Sequence, residues 1–115
     1  MHELSIALNI VDIASETARK NGARRVEALY LKLGALSGVA KDALEFSWEL
    51  ACADVAALEG ARLVIEEIPV VVRCAGCGRD ATVESINKMV CPNCRAFVST
   101  IVAGRELEIT ALEII

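Results

Sequence analysis

The sequence predicts an α+β fold in which two helices cover a three-stranded sheet and a four-cysteine zinc-ribbon lobe is inserted before the last strand. Apolar residues recur at helical spacing in two stretches and alternate with other residues in three more. Two Cys-x-x-Cys motifs lie between the second and third alternating stretches. We therefore expect one domain from residues 1–69 with 104–115, and a zinc-binding domain from residues 70–103.

The first helix is predicted over residues 4–20, because apolar side chains return every three or four positions. Arg19 and Lys20 occupy its last turn, where the helix dipole favours cations, and Asn21-Gly22 is a plausible stop. The predicted buried stripe consists of Leu4, Leu8, Val11, Ala14 and Ala18.

The next three elements follow from their own patterns. A strand is predicted over 25–33, because Leu29, Leu31 and Leu33 alternate with Ala28, Tyr30 and Lys32. A second helix is predicted over about 39–58 and ends at Gly60. A second strand is predicted over 61–68, with Leu63 and Ile65 facing inward. The inward face of the second helix is predicted to carry Leu44, Ser47, Trp48, Ala51 and Val55.

The end of the chain is predicted to return to the first sheet. Pro69 interrupts the second strand, because proline cannot donate a ladder hydrogen bond. Short extended pieces at 70–72 and 97–102 flank the cysteine motifs, and Gly104 marks a turn. The last strand is predicted over 106–115, with Leu107, Ile109 and Ala111 on one face.

Composition and charge exclude several classes of protein. The net charge of −4 and the aromatic content of 3% argue against a nucleic-acid-binding surface, which needs a basic face or stacking rings. We predict no membrane span, because no apolar run is long enough. The first apolar stretch lacks a basic leader and contains Asn9 and Asp12, which is unlike a signal peptide. These features predict a reducing, cytoplasmic location.

The cysteine motifs predict a structural zinc site formed by Cys74, Cys77, Cys91 and Cys94. Four thiolates delivered in two tight turns match the tetrahedral preference of zinc. Such a closed site leaves no position for a catalytic water, so zinc-dependent hydrolysis is not expected. The alternatives are two disulfides in a secreted protein, or a thiol redox enzyme with cysteines of lowered pKa.

The N-terminus offers a second metal site. His2 is the only histidine in the chain. The α-amine of Met1, the imidazole of His2 and the intervening amide nitrogens can chelate one metal ion, and a planar nitrogen set suits Ni(II) or Cu(II). The alternative is an N-terminal His2 that is merely solvated, followed by Glu3 as an acid in the first helical turn.

These motifs together resemble those of the HypA/HybF family, the hydrogenase maturation nickel metallochaperones. The resemblance covers the whole chain. It is carried by the N-terminal Met-His-Glu-Leu-Ser, Gly34 after a strand, the CxxC and CPxC motifs, and the Gly-x-Glu-Leu-x-Ile of 104–109. The N-terminal motif and the double cysteine motif are its most specific parts.

The resemblance implies a function and a set of ligands. It implies that Ni(II) is held by Met1, His2 and Glu3, so that residues 1–69 with 104–115 form the nickel-binding domain, and that Zn(II) is held by the four cysteines. It also implies delivery of nickel to the large subunit of nickel-iron hydrogenase together with the GTPase HypB. In some members of the family, this nickel delivery extends to the urease maturation proteins.

Two other kinds of function remain open from the sequence, a zinc-ribbon adaptor and the thiol redox enzyme named above. A zinc-ribbon adaptor without nickel function would tolerate replacement of His2, whereas a metallochaperone would not. We find no nucleophile–base motif and no phosphate-binding loop, so we expect a protein that is not an enzyme. Cys52 is expected to be a small core residue of the second helix, and Phe46 and Trp48 are expected to be core or docking residues.

Overall fold

The computed structural model describes residues 2–83, 88–98 and 100–115. It confirms the predicted α+β class, with two helices, two three-stranded sheets and the four cysteines within residues 74–94. No helix in these ranges has the length and apolar character needed to cross a bilayer. The elements are α1 (Glu3–Lys20), β1 (Val26–Gly34), α2 (Lys41–Cys52), a 3₁₀ turn (Ala56–Leu58), β2 (Arg62–Ile68), β3 (Val71–Arg73), β4 (Asp80–Thr82), β5 (Thr100–Ala103) and β6 (Leu107–Ile114).

The chain divides into two compact units, and each has its own hydrophobic core. We call them the helical unit and the cysteine unit. The helical unit comprises Met1–Leu31, Gly38–Glu66 and Glu108–Ile115, and the cysteine unit comprises Lys32–Ser37 and Glu67–Leu107.

In the helical unit, α1 and α2 pack together, and the sheet has the order β2-β1-β6. The Trp48 indole N–H donates a hydrogen bond to the carbonyl of Ala61 at 3.1 Å, so the polar group of this buried ring has a partner. The buried face of α1 differs in part from the predicted stripe, because Leu4 and Leu8 are exposed. Residues buried on α1 are Ala7, Ile10, Val11, Ala14 and Ala18.

Two further predicted details of the helical unit are wrong. The second helix ends at Cys52 rather than near residue 58, because Val55 is extended and a 3₁₀ turn follows it. Val55 still packs against the core, which explains its place in the helical pattern. On β6, Ile109 and Leu112 pack on the core whereas Ala111 is exposed. The strand therefore departs from strict two-residue alternation.

In the cysteine unit, β3 pairs antiparallel with both neighbours, giving the order β4-β3-β5. Arg73 lies opposite Asp80 in this ladder, and its guanidinium donates to the Asp80 carboxylate at 2.9 Å. The predicted extended piece at 97–102 contains a bridge at Phe97 and the start of β5, while Ser99 lies outside the described residues. The buried core consists of Val70, Val72, Cys74, Val83, Cys91 and Val98.

A close backbone contact within the cysteine unit explains Gly34 and Gly104. A Cβ atom on Gly34 would lie 2.2 Å from the Gly104 carbonyl oxygen, so no larger residue fits there. That oxygen accepts a hydrogen bond from the Leu36 N–H at 2.6 Å. Gly104 itself has a φ of +121°, which disfavours other residues. The two glycines therefore join the end of β1 to the segment that leads into β6.

Candidate metal centre

The structure brings together all four predicted cysteines. The Sγ atoms of Cys74, Cys77, Cys91 and Cys94 lie within 4.8 Å of one another. The Sγ atoms of Cys74 and Cys94 are 3.4 Å apart, and those of Cys77 and Cys91 are 3.8 Å apart. A tetrahedral zinc ion with Zn–S bonds of about 2.3 Å requires S–S distances of about 3.8 Å. The sulfur positions are therefore consistent with zinc.

The two cysteine motifs have the same backbone geometry. In the first, the Gly78 N–H donates to the Cys74 carbonyl at 2.7 Å, and the Cys74 N–H donates to the carbonyl of Arg79 at 2.9 Å. In the second, the Arg95 N–H donates to the Cys91 carbonyl at 2.8 Å, and the Cys91 N–H donates to a carbonyl five residues later. Each motif thus forms a preset turn that directs two sulfurs to one side.

Arg95 occupies a backbone conformation that favours glycine. Its φ is 61°, and it is the one non-glycine residue with positive φ in the described ranges. Gly78 holds the equivalent place in the first motif with a φ of 69°. A non-glycine residue there costs about 1 kcal/mol or more. Aligning CAGCG with CPNCR in the sequence would have revealed this position.

Arg95→Gly is expected to relieve this backbone cost and to strengthen zinc retention. The expected gain is up to about 1 kcal/mol, which is about fivefold in apparent zinc affinity. Gly78→Ala is the matched control and should weaken zinc retention by a similar factor. Competition with a chromogenic chelator measures both. Weaker zinc binding by Arg95→Gly would contradict this expectation, because the arginine side chain would then contribute more than its backbone conformation costs.

The thiol pKa values of Cys91 and Cys94 are shifted in opposite directions. Hydrogen bonds from the backbone N–H groups of Cys94 and Asn93 lower the pKa of Cys91 to about 6. For Cys94, the Ala96 N–H lowers the pKa, but hydrogen bonds with the Cys74 and Cys91 sulfurs and burial outweigh it and raise the pKa to about 11. The Cys91 thiolate therefore forms readily and opposes ionisation of Cys94. A divalent cation removes this conflict.

His2 and Glu3 belong to the helical unit. His2 is the exposed N-cap of α1, and its side chain makes no capping hydrogen bond. The first helical bond runs from the Ile6 N–H to the His2 carbonyl at 3.2 Å, so the amide nitrogens of His2 and Glu3 are not used by the helix. Met1 lies outside the described residues.

The carboxylate of Glu3 has a partner that the sequence did not indicate. It accepts a hydrogen bond of 3.2 Å from the backbone N–H of Ala40, the N-cap residue of α2. This bond lowers the pKa of the Glu3 carboxyl. Ala40 has no side-chain acceptor to cap its helix. The carboxylate of Glu3, on α1, therefore supplies a hydrogen-bond acceptor for the start of α2. No local motif signals this contact, because the residues are far apart in the chain.

Cys52 is not part of the metal centre. It is buried in the core of the helical unit, as predicted for a small core residue. Burial raises the pKa of its thiol to about 11, which makes it unreactive. All five cysteines are free thiols, so the disulfide alternative finds no support in the structure.

Comparisons with known proteins place the chain in one group. Residues 1–114 match a family model described as "Hydrogenase/urease nickel incorporation, metallochaperone, hypA". A hydrogenase maturation factor HypA from Chloroflexus aurantiacus is 50% identical over 113 residues, which cover 98% of each chain. One from Geobacter metallireducens is 44% identical over 114 residues, which cover 99% of each chain.

The fold is also similar to two solution structures. The structure of the Ni metallochaperone HypA from Helicobacter pylori aligns with a TM-score of 0.67 and 24% identity, covering 99% of this chain and 97% of that one. A second HypA solution structure aligns with a TM-score of 0.73 and 24% identity, covering 100% and 97%. At this identity, the two structures support the fold alone.

Proposed function

The chain belongs to the HypA family of hydrogenase maturation factors and nickel metallochaperones, and we propose that it binds Ni(II) at its N-terminus and delivers it for maturation of nickel-iron hydrogenase. The observation that carries this proposal is the exposed His2 at the start of α1, beside two amide nitrogens that the helix does not use. With the Met1 amine, these groups complete a planar nitrogen donor set suited to Ni(II).

We propose that Met1, His2 and Glu3 contribute to nickel in different ways. Met1 supplies its amine, and His2 supplies its imidazole and main-chain nitrogen. Glu3 supplies its main-chain nitrogen, because its carboxylate accepts the hydrogen bond from Ala40. Keeping that bond holds the first turn of α1 against the start of α2, which limits the motion of the nitrogen ligands.

The donor set also suits transfer. Ligands at a chain end can be replaced one at a time by those of a partner, whereas a closed cage would hold its metal. Each amide nitrogen must lose a proton to bind, so nickel affinity rises with pH and release is favoured as protons return. The proposed recipients are the GTPase HypB and the hydrogenase large subunit, with urease maturation proteins as further candidates.

We propose that the four cysteines hold Zn(II) in a structural role. Two of them, Cys74 and Cys91, are buried in the core of the cysteine unit, so the metal links the strands to the turns. The proposed division assigns nickel to residues 1–69 with 104–115, and zinc to residues 70–103. With its thiols committed to zinc, the chain would act as a carrier in the cytoplasm and would not catalyse thiol exchange.

An N-terminal extension tests this proposal directly. Adding Gly-Ser-Gly-Ser before Met1 displaces the free amine, so nickel binding is expected to be lost while zinc stays at one ion per chain. A single added residue is unsuitable, because an amine two residues before histidine forms another good chelate. Nickel and zinc contents after gel filtration, measured by mass spectrometry, report both metals.

The matched control carries the same four residues after Ile115 and should bind nickel like the unmodified chain. Full nickel binding by the N-terminally extended protein would exclude the amine as a ligand. Failure of the unmodified chain to bind nickel would favour a zinc-ribbon adaptor instead.

A further inference from the structure

The second helix, α2, carries an apolar row on its solvent side. Phe46 is 63% exposed and Leu50 is 54% exposed, although the opposite side of this helix is buried. Because they are four residues apart, the two side chains lie next to each other. The row continues through an alanine at each end, and Ala53, the C-cap, keeps helical backbone angles. We call Ala43, Phe46, Leu50 and Ala53 the outer row.

The outer row has the spacing of a seam between two helices. Its members fall at i, i+3, i+7 and i+10, which are the alternating three- and four-residue steps by which one helix packs along another. Small residues at both ends let a partner backbone approach closely, while Phe46 and Leu50 can fill the grooves of its surface. An extended peptide repeats every two residues and does not match these steps. The outer row therefore suits a helix.

Carboxylates line one side of the outer row. Asp42, Glu45 and Glu49 fall at i, i+3 and i+7 and are all exposed, so they form a second row beside the first. None of the three forms an ion pair with the residues that the structure describes. A helix that covers the outer row would meet these carboxylates, so cations along its own side would be attracted to them.

Neither helix of this chain can itself be such a partner. Within the described ranges, α1 carries two cations, Arg19 and Lys20, which both lie in its last turn, and α2 carries Lys41 alone. A row of cations along a helix is therefore missing from the described part of the chain. An anionic membrane surface does not suit the outer row either, because the carboxylates beside it would be repelled.

We propose that α2 binds a basic amphipathic helix of a different protein. The apolar side of that helix packs on the outer row, and its lysines or arginines pair with the carboxylates of Asp42, Glu45 and Glu49. Association removes the exposed side chains of Phe46 and Leu50 from water, which favours binding, and the charges select the partner. The proposal does not depend on nickel binding, because every residue that it uses lies on α2 or at its C-cap.

Two synthetic peptides test this binding on zinc-loaded, untagged protein. Each is about three heptads long, because shorter helices are marginal in water. Both carry leucine at the two seam positions of every heptad, and the positions on either side of the seam are lysine in one peptide and glutamate in the other. Fluorescence anisotropy of the labelled peptides measures binding. The lysine peptide is expected to bind at least about tenfold more tightly than the glutamate peptide.

Two variants of α2 separate the apolar contribution from that of charge. Phe46→Ala leaves every charge in place and is expected to weaken binding of the lysine peptide about thirtyfold, as for loss of an aromatic anchor. The double variant Glu45→Lys, Glu49→Lys is expected to reverse the preference, so that the glutamate peptide binds more tightly. Asp42 is kept in this variant, because an acid in the first turn stabilises the helix.

Matched controls place the same kinds of change outside this surface. Ile13→Ala removes an apolar side chain that is 43% exposed on α1. The double variant Asp12→Lys, Glu59→Lys has the same net charge as the double variant of α2, and both of its positions are exposed. Each control should bind the lysine peptide like the unmodified chain. Zinc content and circular dichroism establish that every variant is folded.

Three results would overturn the proposal. The first is binding of the lysine peptide to the unmodified chain that is no tighter than binding of the glutamate peptide. The second is unchanged binding by Phe46→Ala, or an equal loss of binding in the controls, which would reveal non-specific attraction to an acidic chain. The third is a change in the sedimentation coefficient of Phe46→Ala without peptide, which would assign the outer row to a second copy of this chain.

Discussion

Replacing Cys91 with serine is expected to remove zinc from the cysteine unit and to unfold β3, β4 and β5, while α1 and α2 remain folded. Cys91 is fully buried, and its sulfur accepts backbone hydrogen bonds that hold the second cysteine turn. A structural zinc site contributes about 10 kcal/mol in small modules, which is comparable to the whole stability of a domain. Apart from its cysteines, the buried core of this unit consists of four valines.

The two separate cores explain why the effect should stay local. The core of the helical unit contains Leu29, Leu31 and Leu44, and none of the four metal-site cysteines belongs to it. Hydrogen–deuterium exchange measures both units at once. Protection is expected to disappear at Val72 and to persist at Ala14, which is buried on α1.

Cys52→Ala is the matched control for loss of a cysteine. It removes a buried thiol from the helical unit and should leave zinc at one ion per chain. The account would be contradicted if Cys91→Ser kept its zinc. It would also be contradicted if β3 to β5 kept their protection from exchange after the zinc was lost, because the valine core would then be enough to keep these strands folded.

The sequence was most informative where a physical rule acts over short range. The three-residue spacing within each Cys-x-x-Cys motif fixes a tight turn, so the sulfur cluster could be predicted without knowing the fold around it. The alternation of apolar residues along β2 correctly placed Leu63 and Ile65 against the core, because this rule also acts over short range. In such cases the neighbours along the chain determine the local geometry.

Predictions failed where tertiary contacts decide between local alternatives. The apolar pattern of the second helix continues to Val55, yet Val55 reaches the core from an extended segment. Spacing alone cannot distinguish these two routes to the same burial. Leu4 and Leu8 fit the helical stripe but lie outside the face that the neighbouring elements cover.

Contacts between distant residues left no signal at all. The hydrogen bond from the Ala40 N–H to the Glu3 carboxylate joins the starts of two helices. Neither residue belongs to a capping motif, since the acceptor comes from another element.

The three-residue strand β4 was missed because Asp80 and Ala81 have low strand propensity and depend on β3 for their pairing.

Loss of nickel binding in His2→Ala is the second large expected effect. His2 carries the only imidazole in the chain, so no other histidine can replace it. Without that nitrogen the planar donor set is incomplete, and we expect nickel affinity to fall at least about a hundredfold, or about 3 kcal/mol. The fold should not change, because the exposed His2 side chain makes no capping hydrogen bond.

Glu3→Gln is the matched control at the neighbouring position. Its side-chain amide oxygen can still accept from the Ala40 N–H, and its main-chain nitrogen is unchanged. We therefore expect nickel binding close to that of the unmodified chain. Loss of binding in this variant would identify the Glu3 carboxylate as a nickel ligand.

The measurement that tests the central claim most directly is calorimetric titration of Ni(II) into untagged, zinc-loaded protein and into His2→Ala, with d–d absorption recorded on the same samples. We predict one nickel ion per chain with a square-planar spectrum in the unmodified protein, and loss of both signals in the variant. Equal nickel binding by the two proteins would contradict the N-terminal site and place nickel elsewhere on the chain.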